Sequence, residues 1–329
     1  MHRSTQALLR CPACASRLRL TGDEKEEADV ETGVLRCDAC AAEYPVLRGI
    51  PRFVPAENYA GNFGLQWNLF RMTQLDSHSG QPVSLSRFLR YTGWNADDMD
   101  GKLTLDAGCG AGRFAEVAAS MGARVIAIDF STAVDAAREN LKHLENVDFV
   151  QADINALPFA PGTFPLVYCL GVIQHTPKPE RSFRALAAAT ARAGRLALDV
   201  YPAHWKNWFF AKYWIRPITK RMSADTSLKL VQRIFPPLYA LSRAVSRIPV
   251  FGKRLRYLIP VANYTNVYPL NERQLREWAL LDTFDMWAPA YDQPQTRDTV
   301  RRWFEDAGFE EVEVFHSGFY VGRGVKPAS

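Results

Sequence analysis

The sequence predicts an α/β domain built on a doubly wound parallel sheet, with a small cysteine-rich domain before it and a helical insert inside it. Three observations favour this architecture. Short apolar segments alternate with helical patterns over residues 101–202, which is typical of a parallel sheet. Two CxxC pairs lie within the first 40 residues, and the alternation stops over residues 203–290 before it returns.

Composition places the chain among ordinary folded proteins. It has 329 residues, of which 47% are hydrophobic and 23% charged, with a net charge of +5. This allows one large core and one or two small appendages. No apolar run reaches the ~18 residues that a membrane-spanning helix needs, and the first ten residues lack the apolar segment of a signal peptide. Together with paired CxxC cysteines, this favours the reducing cytoplasm, with peripheral membrane contact left open.

The cysteines predict that the first domain, residues 1–55, is a zinc ribbon. Two CxxC pairs separated by 22 residues match a closed tetrahedral zinc site, which would be structural because four thiolates leave no open position. A domain of this size builds little core, so the metal would contribute much of its stability. The four expected ligands are Cys11, Cys14, Cys37 and Cys40. Cys109 and Cys169 lie in apolar segments and are expected in the core.

The elements of the main domain follow from periodicity. Predicted strands are KLTLDAG, RVIAIDF, VDFVQADI, FPLVYCLGV, RLALDVY and EEVEVFHS, with GFYVGRG as an antiparallel partner of the last. Predicted helices are GRFAEVAASMG, TAVDAARENLKHL, PERSFRALAAATARAG and TVRRWFEDAGF, the third ending at Gly194. In the insert, several helices are expected to be separated by Pro217, Pro236, Pro237, Pro249 and Pro260.

The segment LDAGCGAGRF predicts a ligand site at the carboxyl edge of the sheet. A strand ends at Asp106, and a turn with Gly108, Gly110 and Gly112 leads to a helix near Arg113. Glycines let the backbone approach a ligand closely, and the helix start offers free N–H groups. A nucleotide-like cofactor fits this geometry, although a tight turn alone also needs glycine.

Acidic residues at the ends of the next two strands strengthen that prediction. Asp129 can accept hydrogen bonds from two ribose hydroxyls, and Asp153 is placed to face an adenine edge, with a helix N-cap as the alternative. The spacing is GxGxG rather than the GxGxxG of dinucleotide sites. It therefore favours a cofactor that carries a carboxylate and an amine.

Together, DAGCGAGRF, AIDFS, QADINALPF and LVYCLGVIQHTPKPERSF resemble the successive motifs of class I S-adenosylmethionine-dependent methyltransferases, most closely the group around quinone-biosynthesis enzymes. The resemblance covers about residues 100–200 and the tail from about 298. It implies a Rossmann-like seven-stranded sheet with an antiparallel last strand, and S-adenosyl-L-methionine as cofactor. The implied cofactor-binding residues are Asp106, Gly108, Gly110, Gly112, Asp129, Phe130, Asp153, Ile154, Leu170 and His175.

The insert, residues 203–290, is expected to cover the active site as a lid. Between Tyr201 and Pro260 there are twelve Lys or Arg residues and one acid, a net charge of +11, among several aromatic residues. This charge suits an anionic acceptor, an anionic membrane or RNA, and a solvated basic face is the fourth alternative. The methyltransferase domain itself would comprise residues 101–202 and 291–329.

Two further segments are expected near the acceptor. Residues 56–100 are predicted to form helices and loops over the cofactor, and TFDMWAPAYDQPQT precedes the last helix. Candidate acceptor-binding residues are Gln66, Thr73, Gln74, Asp76, Tyr201, Trp205, Tyr291, Asp292 and Gln293. His175, His204 and Tyr291 are weak candidates for a general base, which is needed only if the acceptor loses a proton.

The sequence leaves the acceptor open. The first hypothesis is a small or lipid-linked, anionic metabolite; the second is RNA, docked through the cysteine domain and the insert; the third is a non-catalytic adaptor. After the fourth strand stands GVIQHTP. Amino-group methylation by enzymes of the resembled class goes with Asn-Pro-Pro-aromatic at this point, so the resemblance favours O- or C-methylation.

Overall fold

The structure is a computed structural model that describes residues 1–22, 29–55, 57–204, 210–249 and 251–328, apart from the side chain of Lys253. The first 55 residues contain a short helix, α1 (Arg3–Gln6), and a four-stranded antiparallel sheet in the order β1-β2-β3-β4. Its strands are β1 (Leu18–Thr21), β2 (Thr32–Cys37), β3 (Glu43–Leu47) and β4 (Ile50–Pro51).

The main sheet has seven strands in the order β10-β11-β9-β8-β5-β6-β7. The strands β5 to β9 are parallel, and β11 runs antiparallel between β9 and β10, so the predicted sheet is confirmed. Its strands are β5 (Leu103–Ala107), β6 (Arg124–Asp129), β7 (Val147–Gln151), β8 (Phe164–Cys169), β9 (Thr190–Val200), β10 (Glu310–Ser317) and β11 (Phe319–Val325).

Helices cover both faces of this sheet. Successive side chains of a strand enter different buried clusters, Leu105 and Ile126 on one side and Val125 and Tyr168 on the other, as a doubly wound sheet requires. The helices are α2 (Gly61–Leu69), α3 (Asp76–Ser79), α4 (Val83–Thr92), α5 (Ala96–Met99), α6 (Arg113–Ser120), α7 (Ala133–Leu141), α8 (Pro179–Ala189), α9 (Ala211–Thr219), α10 (Ala224–Ser246), α11 (Gly252–Leu255), α12 (Glu272–Trp287) and α13 (Arg297–Asp306). Within the described ranges, no helix has the length and apolarity to traverse a bilayer.

The helix predicted to end at Gly194 ends instead at Ala189, so this prediction was wrong. Thr190 pairs with Phe164 of β8, and Ala193 has a positive φ of 54° that no helix accommodates. The alanine-rich segment has high helix propensity, but pairing with the sheet overrides it. Strand β9 consequently begins five residues early, with an irregular register against β8.

The expected helix breaks at Pro217, Pro236 and Pro237 are also wrong. Pro217 lies inside α9, and the other two lie inside the 23-residue helix α10. Val231, Phe235 and Tyr239 of α10 are buried on either side of the proline pair, in the clusters that also hold residues of α12. This burial keeps the helix continuous although prolines remove backbone hydrogen bonds.

The cysteine domain packs on the β7 edge of the main sheet. The carboxylate of Asp148 in β7 accepts hydrogen bonds from the backbone and ring of His2 (both 2.9 Å) and from Thr5 Oγ1 (2.5 Å). Arg52 pairs with Asp135 of α7 at 2.7 Å. Several polar contacts therefore fix the small domain to the large one. These contacts join residues that are about 85–145 positions apart in the sequence.

Candidate active site

A cavity of about 900 Å³ lies at the carboxyl edge of the sheet, between the strand ends and the insert. The loops that follow four neighbouring strands form one wall: Gly108–Ala111 after β5, Asp129 after β6, Asp153 after β7 and Leu170 after β8. This edge is where open α/β sheets bind their ligands. We call this side the strand-end wall, and the side formed by residues 210–286 the insert wall.

The glycine turn forms the centre of the strand-end wall. Gly108 has a φ of 89°, and a Cβ there would lie 2.5 Å from the side chain of Val172. Gly110 has a φ of 53° and lies under the ring of Trp67, 3.2 Å from where its Cβ would stand. Any side chain at these positions would therefore strain the turn and fill space next to the cavity.

Asp129 is held firmly at the end of β6. One carboxylate oxygen accepts hydrogen bonds from Ser131 N (2.8 Å) and Ser131 Oγ (2.7 Å), and the other accepts from Gly110 N (3.0 Å). Burial raises the pKa of this carboxyl. The adjacent Phe130 packs against Tyr59, with ring centroids 4.8 Å apart. The geometry suits a carboxylate that receives ligand hydroxyls beside an aromatic pair.

Asp153 both lines the cavity and caps a short 3₁₀ helix, Ile154–Ala156. Its Oδ1 accepts from Asn155 N at 2.8 Å and from Asn155 Nδ2 at 3.0 Å. The N-cap considered as an alternative is thus present. Because Oδ2 has no hydrogen bond to a described residue, the cap leaves one oxygen available to a ligand.

Asp106 and Gly112 lie beneath the wall rather than in it. Asp106 is 2% exposed, its Oδ2 has no hydrogen-bond partner among the described residues, and burial raises its pKa to about 8. Gly112 has a φ of 90° and packs against Leu141. Buried polar atoms are rarely left unpaired, and two lie together here, because the hydroxyl of Tyr168 beside this carboxyl also has no other partner among the described residues.

His175 follows β8 and lines the cavity in a fixed orientation. Its Nδ1 lies 3.0 Å from the carbonyl oxygen of Tyr291, and its ring packs against Phe63 and Tyr201 at about 5 Å. Since a carbonyl only accepts hydrogen bonds, Nδ1 carries the proton. Nε2 is then the nitrogen that can accept a proton.

The expected acceptor residues separate into two groups. Gln66, Gln74 and Tyr201 line the cavity, as does the candidate base His204, whereas Thr73, Asp76, Tyr291, Asp292 and Gln293 do not. The second group has structural contacts: Asp76 accepts from the first N–H groups of α4, Asp292 pairs with Lys212, and Gln293 binds two backbone carbonyls. Trp205 lies outside the described residues, as do Trp208 and Phe209.

Gln66 differs from the other candidates because it is almost fully buried and incompletely bonded. Its side chain is 1% exposed and lines the cavity, and Nε2 has no hydrogen-bond partner among the residues described. An unpaired buried amide costs about 1–3 kcal/mol unless a ligand satisfies it. Gln66 is therefore the candidate with the clearest need for a ligand.

The insert wall contributes two acidic side chains from one face of α12. Asp282 accepts a hydrogen bond from the hydroxyl of Tyr264, and burial raises its pKa to about 7. Asp285, one turn further, has no hydrogen bond or ion pair with a described residue, and burial raises its pKa as well. Carboxyl groups with raised pKa values in a cavity are candidates for proton transfer.

Two partly buried arginines lie where the walls meet. Arg87 pairs with Asp199 at 2.5 Å. Arg113 donates to Ser84 Oγ (3.1 Å) and Gln74 Oε1 (2.6 Å), and its guanidinium lies over the rings of Phe114 and Trp278. Within the described chain Arg113 has no ion pair, and burial lowers its pKa to about 10. It remains protonated at neutral pH.

Sequence reasoning did not single out Arg87, Arg113, Asp199, Asp282 or Asp285. The position of Asp199 at the end of a strand could have indicated it, since Asp106 and Asp129 also lie at strand ends. Arg113 stood next to the glycine turn. The acids of α12 had no signal, because only the folded insert turns that face of the helix toward the cavity.

The four CxxC cysteines lie together. Sγ of Cys11 is 3.6 Å from that of Cys40, Sγ of Cys14 is 3.4 Å from that of Cys37, and all four lie within 4.8 Å of one another. Tetrahedral zinc thiolates would have sulfur atoms ~3.8 Å apart, given Zn–S bonds of ~2.3 Å. The donor set and its spacing fit a structural zinc ion.

Comparison with known proteins identifies the main domain. Residues 105–198 match the family model described as a methyltransferase domain. A ubiquinone biosynthesis O-methyltransferase from Pectobacterium carotovorum is 32% identical over 150 residues, which cover 44% of this chain and 58% of that protein. An uncharacterized protein from Synechococcus is 28% identical over 216 residues, 62% of this chain and 46% of its own length.

The chain thus spans about half the length of the curated relatives it matches. Among solved structures, magnesium protoporphyrin IX methyltransferase from Synechocystis aligns with a TM-score of 0.44 and 16% identity, covering 82% of this chain and 93% of that one. The family match covers the strands, the glycine turn and the acids of the strand-end wall. The match to a methyltransferase domain is thus confined to residues 105–198, which hold these strands, the turn and the acids.

Proposed function

We propose that the protein transfers a methyl group from S-adenosyl-L-methionine to an oxygen or carbon of an anionic acceptor, either a small metabolite or a lipid-linked one. The proposal rests on the cavity that the two walls share. Its strand-end wall has the residues expected to bind the cofactor, and the insert wall opposite has charged groups of its own. The O-methyltransferase names of the ubiquinone-biosynthesis relatives agree with this chemistry.

The strand-end wall supplies the cofactor contacts in this proposal. Asp129 would accept the ribose hydroxyls, Asp153 and Ile154 would border the adenine, and the turn at Gly108–Gly110 would lie against the methionine part. Asp106 would face the ammonium group of that part from beneath the turn, and that positive charge would favour the ionised form of its carboxyl. When bound, the cofactor supplies an electrophilic methyl group on a sulfonium centre.

Arg113 supports an anionic acceptor. It is a partly buried cation without a carboxylate partner in the described chain, and the partial loss of hydration is a cost that also lowers its pKa. A carboxylate or phosphate in the cavity would offset that cost. Bidentate hydrogen bonding by a guanidinium also orients a planar anion, and orientation is the main contribution an enzyme makes to methyl transfer.

Two groups are placed to accept the proton of a hydroxyl acceptor, His175 through Nε2 and Asp285 through a carboxylate that has no ion pair with a described residue. In O-methylation the new O–C bond would form as the bond between the methyl group and the cofactor's sulfur breaks, and the proton of the acceptor hydroxyl would pass to one of these two groups. Replacing each residue by Asn should identify the base. Only the variant that lacks the base should lose the rise in activity with increasing pH.

In the same proposal the first 55 residues hold one structural zinc ion. No described residue before Tyr59 lines the cavity, so the ion would stabilise the fold without taking part in the reaction.

Calorimetric titration with S-adenosylmethionine tests the core of this proposal, followed by incubation of labelled cofactor with fractionated small-molecule and lipid extracts. We expect micromolar binding and labelling of an acidic fraction. An absence of cofactor binding would support a non-catalytic adaptor instead.

A further inference from the structure

The insert exposes apolar and basic side chains side by side. We propose that this surface, formed by the outer face of α9 and by residues 241–258, binds the headgroup region of an anionic lipid bilayer. We call it the insert surface. Lipid binding itself is independent of methyl transfer, and only the entry route of the acceptor rests on the proposed function.

Exposed apolar side chains concentrate on this surface. Fifteen large apolar or aromatic residues are exposed in the described chain, and eight of them lie between residues 214 and 258. These eight are Trp214, Ile218, Leu241, Ile248, Phe251, Leu255, Tyr257 and Leu258. Isolated exposed apolar residues are ordinary, but such a concentration marks an interaction surface.

The local geometry groups these side chains. Trp214 and Ile218 are spaced four residues apart, which puts them on one side of α9, and Arg221 follows in the turn after the helix. Helix α11 follows closely on α10, so Ile248, Phe251 and Leu255 lie near one another in the chain. The ring of Phe210 contacts that of Tyr257, with centroids 5.0 Å apart, and this contact joins the start of α9 to the segment after α11.

The charge of the surface is basic and unneutralised. Four exposed cations lie in this surface or in the turn directly after α9, and none forms an ion pair with a described carboxylate: Lys220, Arg221, Arg247 and Arg254. Basic residues in that position attract anionic headgroups while adjacent aromatic and aliphatic side chains enter the interface.

The apolar part of the surface favours lipid over RNA. An RNA backbone requires cations, and unstacked bases require planar side chains. Ile218, Ile248 and Leu255 are exposed aliphatic residues that offer neither contact, whereas a bilayer interface would bury them.

The cavity opens next to this surface. Arg256, Tyr257 and Ile259 line the cavity, and Tyr257 is also 48% exposed. An acceptor with an apolar tail could therefore stay partly in the bilayer while its anionic head enters the cavity. In this arrangement the surface selects lipid-linked acceptors among the anionic ones.

Sedimentation of the full chain with vesicles tests the inference. We expect binding to vesicles of phosphatidylcholine and phosphatidylglycerol, weakening with salt, and little binding to phosphatidylcholine alone. The double variant Arg247→Glu/Arg254→Glu should bind about 100-fold more weakly, and Phe251→Ser/Leu258→Ser about tenfold more weakly. The matched controls Arg90→Glu/Arg181→Glu and Leu47→Ser/Leu69→Ser change exposed residues elsewhere and should bind normally.

Equal binding to neutral and anionic vesicles, or normal binding by both insert variants, would overturn the inference. Salt-sensitive gel shifts of RNA, lost in the arginine variants and without vesicle binding, would assign the surface to RNA instead. Asp129→Ala separates the two proposals, since it should lose cofactor binding and keep vesicle binding. Cofactor binding without vesicle binding would leave the proposed function standing alone.

Discussion

The two walls of the cavity have different origins. The strand-end wall consists of short segments at the ends of parallel strands, and its groups are held by local hydrogen bonds such as Ser131 N to Asp129. The insert wall consists of side chains from several segments of the insert, held by long-range contacts such as Gln74 Nε2 to Asp282. A wall of the first kind suits a ligand common to many enzymes, and a wall of the second kind suits one particular acceptor.

The charge of the two walls differs too. The strand-end wall presents acids, which suit hydroxyl and ammonium groups of a cofactor. The insert wall combines acids with raised pKa values and, at its border, an arginine without an ion pair in the described chain. We therefore expect a substitution in the strand-end wall to change the affinity for the cofactor and not for the acceptor. A substitution in the insert wall should do the reverse.

The largest expected effect is that of Asp129→Ala. Two charge-assisted hydrogen bonds to the ribose would be lost, at about 1.5 kcal/mol or more each, so affinity for S-adenosylmethionine should fall about 100-fold by calorimetry. Asp153→Ala is the matched comparison at the next strand end, with a smaller loss expected. Unchanged affinity in Asp129→Ala would break the assignment of this wall to the cofactor.

Arg113→Met tests the border of the insert wall. It keeps most of the side-chain volume over Phe114 and removes the charge, so kcat/KM for an anionic acceptor should fall about 30-fold. Its dissociation constant for S-adenosylmethionine should stay within about twofold. If cofactor affinity falls equally, the guanidinium belongs to the cofactor site and the division between the walls is wrong there.

Asp282→Asn should increase stability at neutral pH. The pKa of Asp282 is about 7 in the fold against an ordinary value of 3.8, so between these pH values the folded protein holds more protons than the unfolded chain. Stability from this group therefore falls as pH rises through that window. The variant should gain roughly 1–2 kcal/mol at pH 7.5 and little at pH 4, measured by thermal unfolding.

An equal gain at both pH values would show that packing, rather than ionisation, governs Asp282. Tyr264→Phe provides the matched control, because it removes the hydrogen-bond donor to Asp282 and leaves the carboxyl in place.

Among these substitutions, Cys37→Ser is expected to have the smallest effect on ligand binding in the cavity. The variant should lose about one zinc per chain by elemental analysis and unfold at a lower temperature, because the metal replaces a core in the small domain. Cofactor affinity at temperatures below unfolding should stay within about twofold, since this domain contacts the β7 edge and not the cavity. A metal-free protein of normal stability would contradict the zinc proposal.

The strand-end wall could largely be predicted from the sequence. Periodicity located the strands, and acids or glycines directly after them had to meet at one edge, because carboxyl ends of parallel strands do so. Eight of the ten expected cofactor residues line the cavity, whereas Asp106 and Gly112 lie just beneath it. The spacing of residues in the sequence does not distinguish these two positions.

The acceptor residues were less predictable. Polar side chains in aromatic loops were chosen by composition, yet Asp76 caps a helix and Asp292 pairs with Lys212. The same composition serves helix caps and ligand contacts, so it does not separate them. The prolines of α10 led to a wrong prediction for a related reason, since buried contacts before and after them hold the helix together.

The sequence by itself determined the order of strands and helices, the glycine turn, the acid at each strand end and the four clustered cysteines. Each of these depends on local spacing, which the chain carries directly. Tertiary structure alone decided which side of α12 faces the cavity, where α8 ends, and that Arg113 is left without an ion-pair partner among the described residues. These features depend on the packing of segments distant in sequence, and no local pattern records which of them will meet.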